Sequence, residues 1–163
     1  MPRDIFISHA FEDQEYVRSL CAGLEQNGLT CWLAPRDISA GQKWPKAIAD
    51  GISNSTYFLL VLSRHSNASK QVDREVALAD DQNKQILCLD IDDIEPSGSL
   101  AFYLANLHRI KAIGEPVSKT VNQLKSQLGT TFEHTARTLP RLIPRSQLLS
   151  PGDDLPGDLP FLF

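Results

Sequence analysis

The feature that most constrains the fold of this 163-residue chain is the unbroken apolar run YFLLVL at residues 57–62. A strand with one face in water alternates apolar and polar side chains, whereas this run has no polar face. We therefore predict a central strand of a parallel sheet, covered by helices on both faces.

Other apolar runs of strand length recur along the chain, with helical periodicity between them. Val17, Leu20, Cys21 and Leu24 follow the i, i+3, i+4, i+7 spacing of one buried helical stripe. Strands are predicted at residues 5–7, 29–33, 57–62, 85–89 and 109–113. Strands that alternate with helices in this way predict an α/β domain with a five-stranded parallel sheet.

The composition, 42% hydrophobic with a net charge of -4, is that of an ordinary globular domain. No block of Lys and Arg is present, so nucleic acid is not an expected partner. The chain shows neither a signal-peptide pattern nor an apolar span of about 18 residues, so we expect a cytoplasmic protein without direct membrane contact.

The last helix is predicted to end near Gly129, after which the composition changes. Half of the 10 prolines fall in the final segment, at Pro140, Pro144, Pro151, Pro156 and Pro160. We predict a domain over residues 1–130 and a proline-rich tail or linker over residues 131–163, leading to a further module, such as a sensor, beyond this chain.

The three cysteines, Cys21, Cys31 and Cys88, lie within apolar patterns. They lack the Cys-x-x-Cys spacing of redox sites and the ligand spacing of zinc sites. We interpret them as buried thiols and predict no metal site from the spacing.

Glu75 is the residue placed best for chemistry. The predicted strand 57–62 is followed by a Ser- and Asn-rich connection and then by a helix whose buried stripe sets Glu75 on its flank, near the amino-terminal end. In a parallel α/β fold this junction lies at the carboxyl edge of the sheet, where ligands bind. The alternative is a solvated glutamate paired with Arg74 or Lys70.

Three segments carry a resemblance to a known family. DIFISHA at residues 4–10, GLTCWLAPRDI at 28–38 and SNASKQVDREV at 66–76 resemble, in order, the signature blocks of the bacterial Toll/interleukin receptor (TIR) domain. The resemblance covers roughly residues 3–130. It implies a flavodoxin-like three-layer fold with strand order 2-1-3-4-5 and helices on both faces.

The resemblance implies that Glu75 is the catalytic glutamate of an enzyme that cleaves NAD⁺ between nicotinamide and ribose, with NAD⁺ as substrate and no cofactor. Nicotinamide leaves as a neutral molecule, so the barrier is mainly the positive charge that develops on the ribose, which an ionised glutamate stabilises. The product is ADP-ribose or a cyclic ADP-ribose isomer, and no residue decides between them.

Further residues follow from the same resemblance. Ser8, His9 and Ala10 match the segment that lines the ribose and phosphate side of the cleft. Residues 35–43 match the BB loop, through which TIR domains self-associate into oligomers or filaments and complete a neighbour's active site. Within this loop, Ser39 and Lys43 are the expected contacts, and assembly is expected to activate the enzyme in bacterial anti-phage defence or signalling.

One position departs from the family pattern. Many members carry an aromatic residue four positions before the glutamate, where this chain has Gln71, whose amide hydrogen-bonds but offers no ring. The ring then comes from Phe6, Phe11 or a partner subunit. Trp32 and Trp44 fall at apolar periodic positions, so we predict that they pack in the core.

Two functions of different class are compatible with these residues. One is the NAD⁺ glycohydrolase or cyclase, and the other is a non-catalytic TIR–TIR interaction module in which Glu75 is incidental. A phospho-receiver of the same topology is disfavoured, because Ser8 and Ser63 stand where its acidic residues are needed.

Overall fold

The computed structural model describes the backbone of residues 2–138 and the side chains of residues 2–128. The chain divides into two compact units, residues 1–126 and 127–163. The first contains the whole sheet, and the described part of the second is helical. The tail predicted at residues 131–163 is helical up to residue 138, and its part from residue 139 onward lies outside the described residues.

The first unit alternates strands and helices as predicted. The strands pair in parallel in the order β2-β1-β3-β4-β5, which confirms the flavodoxin-like topology. In chain order the elements are β1 (Arg3–Ser8), α1 (Gln14–Gln26), β2 (Cys31–Trp32), α2 (Trp44–Ser53), β3 (Ser55–Leu62), α3 (Arg64–Asn67), α4 (Lys70–Asp81), β4 (Gln85–Asp90), α5 (Gly98–Leu104), β5 (Arg109–Lys111) and α6 (Val117–Thr138).

The central strand β3 is buried on both faces, because Tyr57 and every residue after it up to Leu62 are at most 3% exposed. Alternate strand residues form one core with α2, α4 and α5. Strand residues of the opposite parity point to the other face of the sheet. On that side α1 contacts α6, where a Cβ at Gly23 would lie 2.7 Å from Val121.

One core contains a column of stacked aromatic rings. Phe6 stacks on Trp32 with centroids 4.9 Å apart and on Phe58 with centroids 5.4 Å apart. Gly51 of α2 packs on the indole so closely that a Cβ there would lie 2.6 Å from Trp32 Cε2. The prediction that Trp32 packs in the core is therefore confirmed.

Strand β2 is shorter than the predicted strand at residues 29–33. The Leu33 backbone N–H donates to Asp37 Oδ2 at 2.9 Å, and the Leu29 N–H donates to the Leu24 carbonyl at 3.1 Å. A loop side chain and the end of α1 thus take the backbone groups that would extend the strand at either side.

Two helical boundaries also differ from the prediction. The Ser- and Asn-rich connection contains the short helix α3, because Ser63 and Ser66 form a reciprocal cap at its start. Helix α6 runs on to Thr138 instead of ending near Gly129. No proline follows Gly129 until Pro140, so no ring blocks the helix before that point. None of the described helices has the length and apolar character needed to cross a membrane.

Candidate active site

Local capping places Glu75 at the carboxyl edge of the sheet. Strand β3 ends at Leu62, α3 follows, and the Ser69 hydroxyl then accepts from the Val72 N–H at 3.2 Å to start α4. Glu75 stands in the second turn of α4, over the end of β1. Sequence and structure therefore agree on where this carboxylate lies.

The Glu75 carboxylate is buried, with only 8% of the residue exposed. Ser8 is the last residue of β1, and its Oγ donates to Glu75 Oε1 at 2.7 Å. Gln71 Nε2 donates to Glu75 Oε2 at 2.9 Å. Among the described residues no ion pair joins Glu75 to Arg74 or Lys70, so the solvated-glutamate alternative is wrong.

Burial raises the pKa of the Glu75 carboxyl above its ordinary value, because the anion loses its hydration. The hydrogen bonds from Gln71 and then Ser8 act in the opposite direction, since both stabilise the charged form. The site thus holds a poorly hydrated carboxylate in a fixed orientation, which is typical of catalytic groups.

Glu75 forms part of the wall of a cavity of about 660 Å³, within the range of small-molecule sites. The cavity opens at the carboxyl edge, between α4, the start of α2 and the segment after β1. Its lining comprises His9, Ala10, Phe11, Glu12, Gln14, Ala34, Pro35, Trp44, Pro45, Ile48, Ser69, Gln71, Arg74, Glu75 and Leu78.

The predicted site residues fall into two groups. His9, Ala10 and Gln71 line the cavity with Glu75, and the fully buried Ser8 supports the carboxylate from behind. Ser39 and Lys43 are exposed on the loop and do not line this cavity. The Ser39 N–H donates to Gln42 Oε1 at 3.0 Å, and Lys43 stands at the start of α2.

His9 presents a neutral imidazole to the cavity. Burial lowers its pKa, against the opposing influence of the Ile7 backbone and of Asp13. Its Nδ1 atom is buried without a hydrogen-bond partner in the structure. Because solvent cannot reach this atom, only the rest of the imidazole can face the cavity, and the role of His9 toward a ligand stays a prediction.

Two aromatic rings, Phe11 and Trp44, line the cavity of this chain, which has Gln71 where many family members carry an aromatic residue. Phe11 is 80% exposed and Trp44 is 54% exposed. The prediction that Trp44 packs in the core is wrong, because it begins α2 at the carboxyl edge, where the sheet offers no surface to cover it. Phe6 is 1% exposed within the core, so it cannot be the missing ring.

The fold and this cavity define a flavodoxin-like α/β domain with a buried carboxylate in the wall of a cavity of about 660 Å³. The sequence profile of the TIR domain family matches residues 5–126. The chain belongs to the TIR domain family.

Similar curated proteins are named as an NAD(+) hydrolase and a cyclic ADP-D-ribose synthase. The NAD(+) hydrolase TcpA of Theionarchaea archaeon is 39% identical over 62 residues, which are 37% of this chain and 19% of that protein. The 2' cyclic ADP-D-ribose synthase AbTIR of Acinetobacter baumannii is 41% identical over 61 residues, 37% of this chain and 23% of that protein. The match thus spans about a fifth of the length of these relatives.

Solved structures share the fold at low sequence identity. The TIR domains of the activated Roq1 resistosome superpose with a TM-score of 0.63 at 14% identity, over 77% of this chain and 99% of that one. The TIR domain of the Toll-related receptor TRR-2 from Hydra magnipapillata gives 0.60 at 23% identity, over 67% and 83%. These likenesses show the fold alone.

Proposed function

We propose that this chain cleaves NAD⁺ at the bond between nicotinamide and ribose. The observation that carries the proposal is the buried Glu75 carboxylate, oriented by Ser8 and Gln71 in the wall of a cavity of about 660 Å³. The names of the related NAD(+) hydrolase and cyclic ADP-D-ribose synthase support the choice of substrate.

Glu75 would act by differential stabilisation. When the bond breaks, nicotinamide takes the bonding electron pair and leaves neutral, while the ribose becomes an oxocarbenium-like cation. A desolvated anion interacts weakly with the neutral sugar and strongly with the cation, so its effect falls on the transition state. The hydrogen bonds from Gln71 and Ser8 favour the ionised form of the carboxylate and fix its orientation for that interaction.

The oxocarbenium-like cation can be captured in two ways. Attack by water gives ADP-ribose and releases a proton. Attack by another ribose hydroxyl of the same molecule gives a cyclic ADP-ribose isomer and likewise releases the hydroxyl proton, while attack by the adenine gives a cyclic isomer through a new C–N bond. The relatives named above include one protein of each kind. We therefore propose a glycohydrolase or cyclase and leave the acceptor to the product assay.

The test is nicotinamide release from NAD⁺ by concentrated protein, with the products separated by chromatography and mass. Wild type should release nicotinamide, and Glu75→Ala should not. Phe102→Ala, at an exposed position away from the cavity lining, is the matched surface control and should retain the activity. Wild-type protein that releases no nicotinamide even when crowded contradicts the proposal.

We further propose that assembly activates the enzyme in bacterial anti-phage defence or signalling. Ser39 and Lys43 are exposed and outside the cavity, as expected of loop residues that contact another subunit. We propose a cytoplasmic location for this activity, as expected from the sequence. The rate per subunit should rise with protein concentration, because a shared site forms only on association. A rate independent of concentration opposes this scheme.

A scaffold function is the second candidate. It is favoured by Gln71, which replaces the family's aromatic ring and occupies one oxygen of Glu75 while Ser8 occupies the other. A Glu75→Ala variant that still self-associates and still functions in its host would select this candidate. Such a variant that assembles but loses both nicotinamide release and host function would exclude it.

A further inference from the structure

Two of the three cysteines, Cys21 and Cys31, lie close together near the start of loop 35–43. Cys21 and Glu25 lie on α1, and Cys31 lies on β2. The two Sγ atoms and a Glu25 carboxylate oxygen all lie within 4.8 Å of one another. We propose that this cluster binds a thiophilic divalent cation of the zinc class.

The separation of the ligand atoms suits tetrahedral coordination. Zinc bonds of about 2.3 Å to sulfur and about 2.0 Å to oxygen place neighbouring ligand atoms about 3.5 Å apart. Cys21 and Glu25 are four residues apart on one helix, so their side chains share a face. Side-chain movements of about 1 Å are therefore enough to bring the three ligand atoms to zinc-bonding distance. The site would depend on this packing, because the spacing of the cysteines in the sequence matches no zinc motif.

The cluster already surrounds a positive charge. Arg36 Nη1 donates to Glu25 Oε1 at 3.0 Å and to Cys21 Sγ at 3.4 Å, and Nη2 donates to the Cys31 carbonyl at 2.7 Å. When a metal binds, each thiol releases its proton to solvent, so two thiolates and one carboxylate face a dication. Arg36 then balances the remaining negative charge.

A second cavity, of about 440 Å³, provides access to this cluster. Cys21, Glu25 and Arg36 are part of its lining, while Cys31 lies fully buried behind them. The cavity has room for a water molecule in the fourth coordination position. The lining also includes Pro35, at the root of loop 35–43, so a bound metal would hold one end of that loop.

The test uses the full chain, reduced with a phosphine that does not bind metal strongly, and Co²⁺ as a spectroscopic probe. We expect one Co²⁺ per chain, a thiolate-to-cobalt charge-transfer band and displacement by Zn²⁺. Cys21→Ala and Cys31→Ala should each lower the intensity of the band by half or more, and the double variant should remove it. Cys88→Ala, which removes the remaining buried thiol of the described residues, should keep it.

Glu25→Gln protects the test against misfolding, because the Glu25 side chain is 38% exposed. This variant should lower the affinity for Co²⁺, because an amide is a weaker ligand than a carboxylate. Without metal its melting temperature should fall by only a few degrees, because the exposed ion pair with Arg36 contributes little to stability. A band of wild-type intensity in Cys21→Ala, or the absence of a band in wild type, overturns the proposal. A Cys21–Cys31 disulfide that forms under mild oxidation in a chain that binds no Co²⁺ would also overturn it.

Discussion

Replacing the Glu75 carboxylate by its neutral isostere isolates the charge on which the proposed chemistry depends. Glu75→Gln keeps the side-chain volume, and its amide oxygen can still accept from Ser8. An anion about 4 Å from a unit positive charge, at an effective dielectric constant of about 20, contributes about 4 kcal/mol. At about 1.4 kcal/mol per tenfold, kcat should fall about a thousandfold.

The assay is nicotinamide release at saturating NAD⁺, followed over a range of substrate concentration. The loss should appear in kcat with KM changed little, since the charge acts on the transition state. Glu12→Gln is the matched control, because Glu12 lines the same cavity with a side chain that is 59% exposed. An exposed charge is worth about 1 kcal/mol at most, so this control should stay within about fivefold of wild type.

Two results would refute this reasoning. One is a Glu75→Gln variant whose kcat lies within about tenfold of wild type, because the local electrostatic contribution would then be too small. The other is a loss confined to KM, which would assign Glu75 to substrate binding.

Three further results are expected. Ser8→Ala removes a hydrogen-bond donor that lowers the pKa of Glu75, so the acid limb of the kcat/KM profile should move to higher pH. The control Ser19→Ala, at an exposed site, should leave the acid limb in place. An acid limb that does not move in Ser8→Ala counts against a role for the hydrogen bond. Because the native state binds the Glu75 proton more tightly than the unfolded chain, wild-type stability should fall as pH rises from the unfolded to the folded pKa of Glu75. The melting temperature of Glu75→Gln should therefore rise relative to that of wild type as the pH increases through this range. A difference in melting temperature that does not change with pH would show that the buried carboxylate does not destabilise the fold. Gly51→Ala forces a Cβ to 2.6 Å from Trp32, so denaturant unfolding should show a loss of about 1–3 kcal/mol, and wild-type stability would mean that α2 moves away freely.

Local patterns predicted the elements that bury apolar surface continuously. The run at residues 57–62 forms most of β3, and its lack of alternation correctly indicated burial on both faces. Strand β2 was predicted less well, because the Asp37 side chain competes for the Leu33 N–H. Such competition depends on the path of a loop, which periodicity does not encode.

The candidate site was predictable where it depends on chain direction. Glu75 follows a strand-to-helix junction, and such junctions lie at one edge of a parallel sheet. Its contact with Ser8 joins residues 67 positions apart, and depends on how α4 packs over β1. The prediction that Trp44 packs in the core was wrong because helical periodicity identifies the apolar face of α2 but does not show whether the sheet extends beneath that face.

The cysteine cluster shows the same limit for metal sites. Zinc motifs are recognised by short spacings within one turn or hairpin. Cys21 and Cys31 come from a helix and the following strand, so only the packing of α1 beside β2 brings their sulfur atoms together.

The two tryptophans give the domain a built-in optical readout. Trp32 is stacked between Phe6 and Gly51 in a dry core, whereas Trp44 stands at the cavity mouth with 54% of its surface in water. The emission of Trp32 should therefore be blue-shifted and insensitive to ligand, while that of Trp44 should be red-shifted and accessible to quenchers. A nucleotide entering the cleft can then be followed in unlabelled protein, with one indole reporting occupancy and the other reporting that the fold is intact.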